Sequence, residues 1–256
     1  MEEARRFLRY VIPGLVFLLE VSFYIFLWFL PCPQQLHETI KEVKEIGGFF
    51  AATSLILLCG GIGFILSTLY HTLSWLPVFR FLVPAVDHRD LLKYLCQGDW
   101  PLLKIRRRRW DNKNIDLNEI KCRGGWEIVT AFWHENRTSI KIIESANPRV
   151  DNLQDITHSI GTMYVGSLIA ILFLFVFWPW YLCYTATPFL WGWHLILPVV
   201  ISIMLALIHG QNYREVLLKY QGLINKILLD ALEEYRKKKG FYYTAYVAED
   251  DGDIKR

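Results

Sequence analysis

Four apolar segments constrain the fold of this chain more than any other feature of its sequence. They occupy residues 7–30, 49–70, 160–180 and 190–208. A helix of about 20 residues crosses a hydrocarbon core about 30 Å thick. Hydrophobic residues make up 53% of the chain, which is more than is usual for a soluble domain. We therefore predict a mainly α-helical membrane protein with four transmembrane helices.

The distribution of Lys and Arg predicts the orientation of these helices. Residues 71–159 contain 14 Lys and Arg against 11 Asp and Glu, and nine Lys and Arg follow residue 208. Arg5 and Arg6 precede the first segment, whereas residues 181–189 carry no charge. Because positive residues are retained on the inner side, we expect a cell-membrane protein whose N-terminus, middle segment and C-terminus are cytoplasmic.

The spans divide the chain into five predicted parts. Two transmembrane hairpins flank a small mixed cytoplasmic domain that merges into the third helix. A cytoplasmic amphipathic helix with a tail follows, and then a polar end that we expect to be disordered. In chain order, these parts are residues 1–70, 71–159, 160–208, 209–248 and 249–256.

The local structure of the cytoplasmic parts is less clearly patterned. Residues 126–133 fit a strand or a helix, and residues 138–143 alternate in a way that predicts a short strand. Asn147 followed by Pro148 is typical of a helix start. Apolar positions spaced by three and four predict a pairing helix that packs against the middle domain or a neighbouring protomer: Tyr213, Leu217, Tyr220, Ile224, Ile227 and Ala231.

Glu20 is a carboxylate near the middle of the first apolar segment. An acid at this depth is expected to be neutral, paired or facing water. One hypothesis is a protonated Glu20 bonded to Ser22, Ser54 or Ser167, and a second is a ring of Glu20 side chains in an oligomeric pore. No Lys or Arg lies at the same depth in the other spans, so the third hypothesis is a proton relay with His194.

A weak candidate for a catalytic or metal site lies before the third span. Asp155 and His158 share a helical face, and His134 lies upstream. Imidazole and carboxylate groups suit Zn or Mn, but the spacing matches no standard metal signature. A polar helix face is the simpler interpretation, and the sequence contains no cofactor-binding motif such as Walker A or GxGxxG.

A cluster of positive charge lies within the middle segment. This basic patch is suited to anionic lipid, to topology retention or to phosphate contacts with nucleic acid. Its members are Lys104, Arg106, Arg107, Arg108 and Arg109.

Two cysteines raise the question of a disulfide. Cys32 and Cys183 both fall on the predicted outer side of the membrane. They either form a disulfide there, if that side is oxidising, or remain unpaired.

These observations favour an oligomeric pore or channel-like effector, gated through its cytoplasmic domain and requiring no cofactor. A prokaryotic defence effector that acts on the inner membrane is one variant of this hypothesis. The alternatives are a membrane-anchored enzyme using His134, Asp155 and His158, and a scaffold that recruits a partner through the arginines of the basic patch. The expected partners are the lipid bilayer, further copies of the chain, and a cytoplasmic protein, nucleic acid or nucleotide.

Overall fold

A computed structural model describes residues 2–29, 48–97, 102–108, 111–114, 122–185, 193–240 and 243–246. This part of the chain is mostly helical. Its helices are α1 (Glu2–Phe29), α2 (Gly48–Trp75), α3 (Arg89–Cys96), α4 (Cys122–Asn136), α5 (Lys141–Thr185) and α6 (Trp193–Lys239), with a short 3₁₀ turn at Pro77–Phe79. Its strands are β1 (Leu103–Arg108), β2 (Asp111–Asn114) and β3 (Tyr243–Tyr246).

Four of these helices are long and apolar enough to span a membrane, as the sequence predicted. The qualifying stretches within the described residues are Phe7–Phe26, Thr53–Trp75, Lys141–Val176 and Ile196–Lys239. Large apolar side chains are exposed on all four, as expected of helices that face lipid: Leu19, Leu57, Phe64, Leu172, Val176 and Leu207.

The chain divides into two compact units. Unit 1 comprises residues 1–83 and 155–216, and unit 2 comprises residues 84–154 and 217–256. Two of the three boundaries, at residues 154/155 and 216/217, fall inside α5 and α6, and the third, at residues 83/84, lies outside the helices.

In unit 1, glycines allow α1 and α2 to pack backbone against backbone. A Cβ added to Gly63 would overlap the carbonyl group of Tyr10, and one added to Gly14 would overlap that of Cys59. Small residues permit this close approach between helices in a membrane. Gly63 therefore permits close contact between the two helices.

Unit 2 combines helices with a three-stranded sheet of order β2-β1-β3. β1 pairs antiparallel with β2 and parallel with β3, where Leu103 is opposite Tyr243. The core joins apolar side chains of the sheet and of the four described helices that enter the unit, including Leu92, Ile105, Phe132, Ile143, Ile224 and Leu232.

Three local predictions concern the segment around α4 and the start of α5. Residues 126–133 are helical, within α4. The predicted strand at residues 138–143 is wrong, because a turn leads directly into α5 and buries Ile140 and Ile143 in the core of unit 2. The predicted helix start at Asn147 is also wrong, since α5 begins at Lys141 and Pro148 lies inside it.

The spaced apolar positions of α6 are all buried, as their pattern predicted. Tyr220, Ile224, Ile227 and Ala231 belong to the same core as Ile128, Ile143 and other residues of the middle segment. The sequence predicted that this face of α6 packs against the middle domain or against a neighbouring protomer. Within the chain, it packs against the middle segment.

Candidate functional site

The candidate site is a buried group of ionisable and hydroxyl side chains in unit 1. Glu20 of α1 is only 6% exposed, although it lies in the middle of an apolar helix. Its Oε1 accepts a 2.8 Å hydrogen bond from the hydroxyl of Ser167 on α5. Of the three serines that the sequence offered as partners, Ser167 is thus the one that bonds to Glu20.

His209 of α6 completes this group. Its Nδ1 lies 2.9 Å from the Ser167 hydroxyl oxygen and 3.8 Å from Oε1 of Glu20. When the single Ser167 proton is donated to Glu20, the same oxygen can accept from Nδ1–H of His209. We call Glu20, Ser167 and His209 the central triad.

The hydrogen bonds of the central triad are compatible with two proton arrangements. In the first, an imidazolium at His209 donates to Ser167, and Ser167 donates to ionised Glu20. In the second, protonated Glu20 donates to Ser167, and Ser167 donates to the Nδ1 lone pair of neutral His209. The two differ by the movement of one proton from Nδ1 to Oε1 through the hydroxyl group.

Two polar atoms, one in the triad and one next to it, make no hydrogen bond within the described part of the chain. They are Oε2 of Glu20 and the hydroxyl group of Tyr24, which lies one turn further along α1 and is fully buried. Unpartnered buried polar groups are expensive, and such sites commonly hold a water molecule when there is room. Ser202 of α6, near the Tyr24 hydroxyl and also fully buried, donates to the carbonyl of Pro198.

A second polar group lies at another level of unit 1. Arg9 pairs with Asp155 at 3.1 Å, and the Ser67 hydroxyl lies 2.8 Å from Nε2 of His158. Arg9 precedes Glu20 by 11 positions on α1, a separation of about 16 Å at 1.5 Å per residue. We call Arg9, Asp155, Ser67 and His158 the entry cluster.

Tyrosines lie between the entry cluster and the central triad. The hydroxyl groups of Tyr70 and Tyr213 are 3.2 Å apart, and the ring of Tyr213 stacks on that of Tyr164 at 6.2 Å. Tyr213 follows His209 by one turn of α6, and Tyr70 contacts the ring of His158. Gly161 makes room for this cluster, because a Cβ there would overlap Tyr70.

The weak catalytic candidates do not form a metal site. His134 belongs to unit 2 and is exposed, whereas Asp155 and His158 belong to unit 1 and contact Arg9 and Ser67. No group of three or more His, Cys, Asp or Glu side chains within the described ranges is placed to hold a metal ion.

The basic patch falls partly outside the described residues. Its first four members, Lys104, Arg106, Arg107 and Arg108, lie in β1. Their side chains are not among those described, and Arg109 lies outside the described residues altogether. The strand places part of the patch in the sheet of unit 2, but binding of lipid, nucleic acid or a protein partner by the patch stays a prediction.

The disulfide and the partner first considered for Glu20 also fall outside the described side chains. Cys32 lies outside the described residues, while Cys183 of α5 and His194 of α6 have no described side chain. The disulfide and the pairing of Glu20 with His194 therefore stay predictions.

Sequence reasoning missed His209 as a partner of Glu20. Its role is visible in the spacing of α6, where Ser202, Ala206, His209 and Tyr213 recur at intervals of three and four. These small and polar residues form one face of the helix, and three of the four are fully or almost fully buried.

No model of a protein family matches the chain, and neither a curated protein nor a solved structure is significantly similar to it. The four long apolar helices and the buried central triad are thus the observations on which its function can be argued.

Proposed function

We propose that the chain is a channel-like membrane protein that conducts protons through unit 1, with the central triad as the step at which the proton changes residue. The observation that carries this proposal is the continuous hydrogen bonding of Glu20, Ser167 and His209 across three apolar helices. Ionisable side chains are rare in the membrane interior and mark proton relays and ion pathways there.

Burial of the triad has an energetic cost that supports a functional role. An uncompensated charge in a medium of low dielectric constant costs several kcal/mol, so a purely structural contact would be made more cheaply by apolar side chains. The triad lowers this cost by sharing one proton between a carboxylate and an imidazole, 3.8 Å apart. A relay requires that the shared proton can reside on either residue, and the hydrogen bonds through Ser167 connect the two positions.

The entry cluster supports the proposal that protons follow a path through unit 1 and that the central triad is not an isolated site. Its groups can exchange protons with water at the level of Arg9 and Asp155, and tyrosine hydroxyls occupy the interval before His209. Tyr24 extends the polar sequence beyond Glu20 by a further turn of α1. Water molecules between these groups would complete a hydrogen-bonded chain.

This proposal places the path within one chain. Glu20 is covered by Ser167 and His209 of its own chain, so an acidic ring around an oligomer axis has less support than a relay through the helix bundle. A homo-oligomer, a cytoplasmic location of the middle segment and a role in prokaryotic defence remain predictions of the sequence. Gating through unit 2 is part of the proposal, because α5 and α6 contribute residues to both units.

Liposome flux tests the proposal. The purified chain is reconstituted with a pH-sensitive dye inside the vesicles, and a potassium gradient with valinomycin sets the membrane voltage. We expect voltage-driven acidification well above that of protein-free vesicles. Flux equal to that of protein-free vesicles for correctly folded protein, across the pH range and with the cytosolic ligands tested, would contradict the proposal.

A further inference from the structure

Unit 2 contains a cavity of about 230 Å³ between α4, the N-terminal part of α5 and the middle of α6. The chemistry of its walls changes from the interior to the mouth. The side chains that matter for recognition are Trp126, Trp133, Asn147, Asp151, His134 and Arg137.

The interior of the cavity is aromatic and apolar. Trp133 is 7% exposed, and Val150 and Ile224 lie beside it in the core of the unit. Trp126, half-buried, and Tyr220 add two further ring systems to the lining. A planar aromatic ligand would gain by stacking on such side chains, as nucleic acid bases do.

One wall carries an ordered set of polar groups. Nε1 of Trp133 donates to Oδ1 of Asn147 at 3.1 Å, and Nδ2 of Asn147 donates to Oδ2 of Asp151 at 3.0 Å. These two bonds determine the orientation of the Asn147 amide. They also leave Oδ1 of Asp151 available to accept a hydrogen bond from a ligand N–H group.

The mouth of the cavity is basic. The side chain of Arg137 is 51% exposed and lies 3.8 Å from the Asp151 carboxylate, and His134 is also exposed. A guanidinium group binds phosphate through paired hydrogen bonds, and Asp151 neutralises it only in part at this distance. The mouth therefore suits an anionic group on a ligand whose ring lies deeper.

We propose that this cavity binds a purine mononucleotide. The base lies against Trp126 and Trp133 with its N–H edge toward Asp151, and the phosphate lies at Arg137 and His134. This inference goes beyond the proposed conduction, because binding to unit 2 does not require that unit 1 conducts. Regulation of flux by the nucleotide would rest on the proposed function.

Calorimetric titration of the full-length chain in nanodiscs tests the site. AMP and GMP are compared with adenosine, guanosine and inorganic phosphate. We expect at least one nucleotide to bind with a Kd below about 1 mM, and the corresponding nucleoside and phosphate to bind at least tenfold more weakly. Arg137→Ala should weaken nucleotide binding at least tenfold, and Trp126→Ala should abolish it.

Matched variants keep the outcome interpretable. Arg149→Ala removes an exposed arginine of α5 that does not line the cavity and should leave the Kd unchanged. Glu20→Gln should bind the nucleotide as the wild type does, even where it loses flux, so failure of this inference is distinguishable from failure of the proposed function. The inference is overturned if neither nucleotide binds the folded chain, if Arg137→Ala and Arg149→Ala bind equally, or if phosphate alone binds as tightly.

Discussion

The hydroxyl of Ser167 donates a 2.8 Å hydrogen bond to Oε1 of Glu20, and so joins α5 to α1 in the buried interior of unit 1. The same oxygen lies 2.9 Å from Nδ1 of His209. Ser167 has one hydroxyl proton and lies between two groups that can each exchange a proton. It can therefore pass a proton from one helix to another. The proposed conduction depends on that relationship.

Replacement of Ser167 by alanine should reduce proton flux about tenfold or more, because loss of one hydrogen bond of about 1.5 kcal/mol in the relay corresponds to that factor. Ser167→Thr retains a hydroxyl and should conduct measurably better than Ser167→Ala. Liposome acidification rates at matched protein density provide the measurement.

Ser22→Ala is the control for this prediction, since Ser22 is an exposed serine of α1. It should conduct as the wild type does. Equal flux from Ser167→Ala and Ser22→Ala would remove Ser167 from the path.

Replacement of Gly63 by valine should destabilise unit 1 by about 1–3 kcal/mol, the usual cost of inserting bulk into a packed interior. The cause is the close approach of α1 and α2, which leaves no space for a Cβ beside the Tyr10 carbonyl. Thermal unfolding in detergent, followed by circular dichroism, provides the measurement.

Gly61→Val is a matched control in the same helix, because nothing lies within 4 Å of a Cβ at that position. The unfolding temperature of this variant should stay close to that of the wild type. If both valine variants lowered it equally, helix propensity and not helix packing would explain the loss.

Acidification should destabilise unit 2 through His88. This side chain is 2% exposed, and burial lowers its pKa below the ordinary value of 6.5, opposed in part by a hydrogen bond with Asn225 and by the charge of Asp87. Below about pH 6.5 the His88 imidazole takes up a proton in the unfolded chain, whereas burial opposes this in the folded unit. The free energy of unfolding of unit 2 should therefore decrease as the pH falls below about 6.5.

Hydrogen exchange of the α3 amides, which follow His88 directly, measures this loss between about pH 8 and pH 5. His88→Gln removes the titrating group while keeping a donor for Asn225, so its protection should depend less on pH than that of the wild type. The same pH dependence in both proteins would show that His88 does not contribute.

The four apolar helices were predictable because length and lack of charge determine a span without reference to any other part of the chain. Glu20 was recognisable as unusual because it is an acidic residue inside one of these otherwise apolar segments. Its partners were harder to predict, because the choice among Ser22, Ser54 and Ser167 depends on how α1, α2 and α5 are rotated against one another. That rotation is a property of three-dimensional packing.

The errors in unit 2 also have physical causes. Residues 138–143 alternate like a strand, but Ile140 and Ile143 are three positions apart and serve equally well as the buried face of a turn and a helix start. β3 was not predicted at all. It is four residues long, and its parallel pairing with β1 depends on a contact more than 130 positions away in the chain.

Proton flux through the reconstituted Glu20→Gln variant tests the central claim most directly. Glutamine is close to glutamate in size and can bond to Ser167, but it cannot release and rebind a proton. The account predicts that wild-type protein acidifies liposomes under voltage and that Glu20→Gln, equally folded and equally incorporated, falls to the rate of protein-free vesicles. A Glu20→Gln variant that conducts protons as fast as the wild type would contradict it.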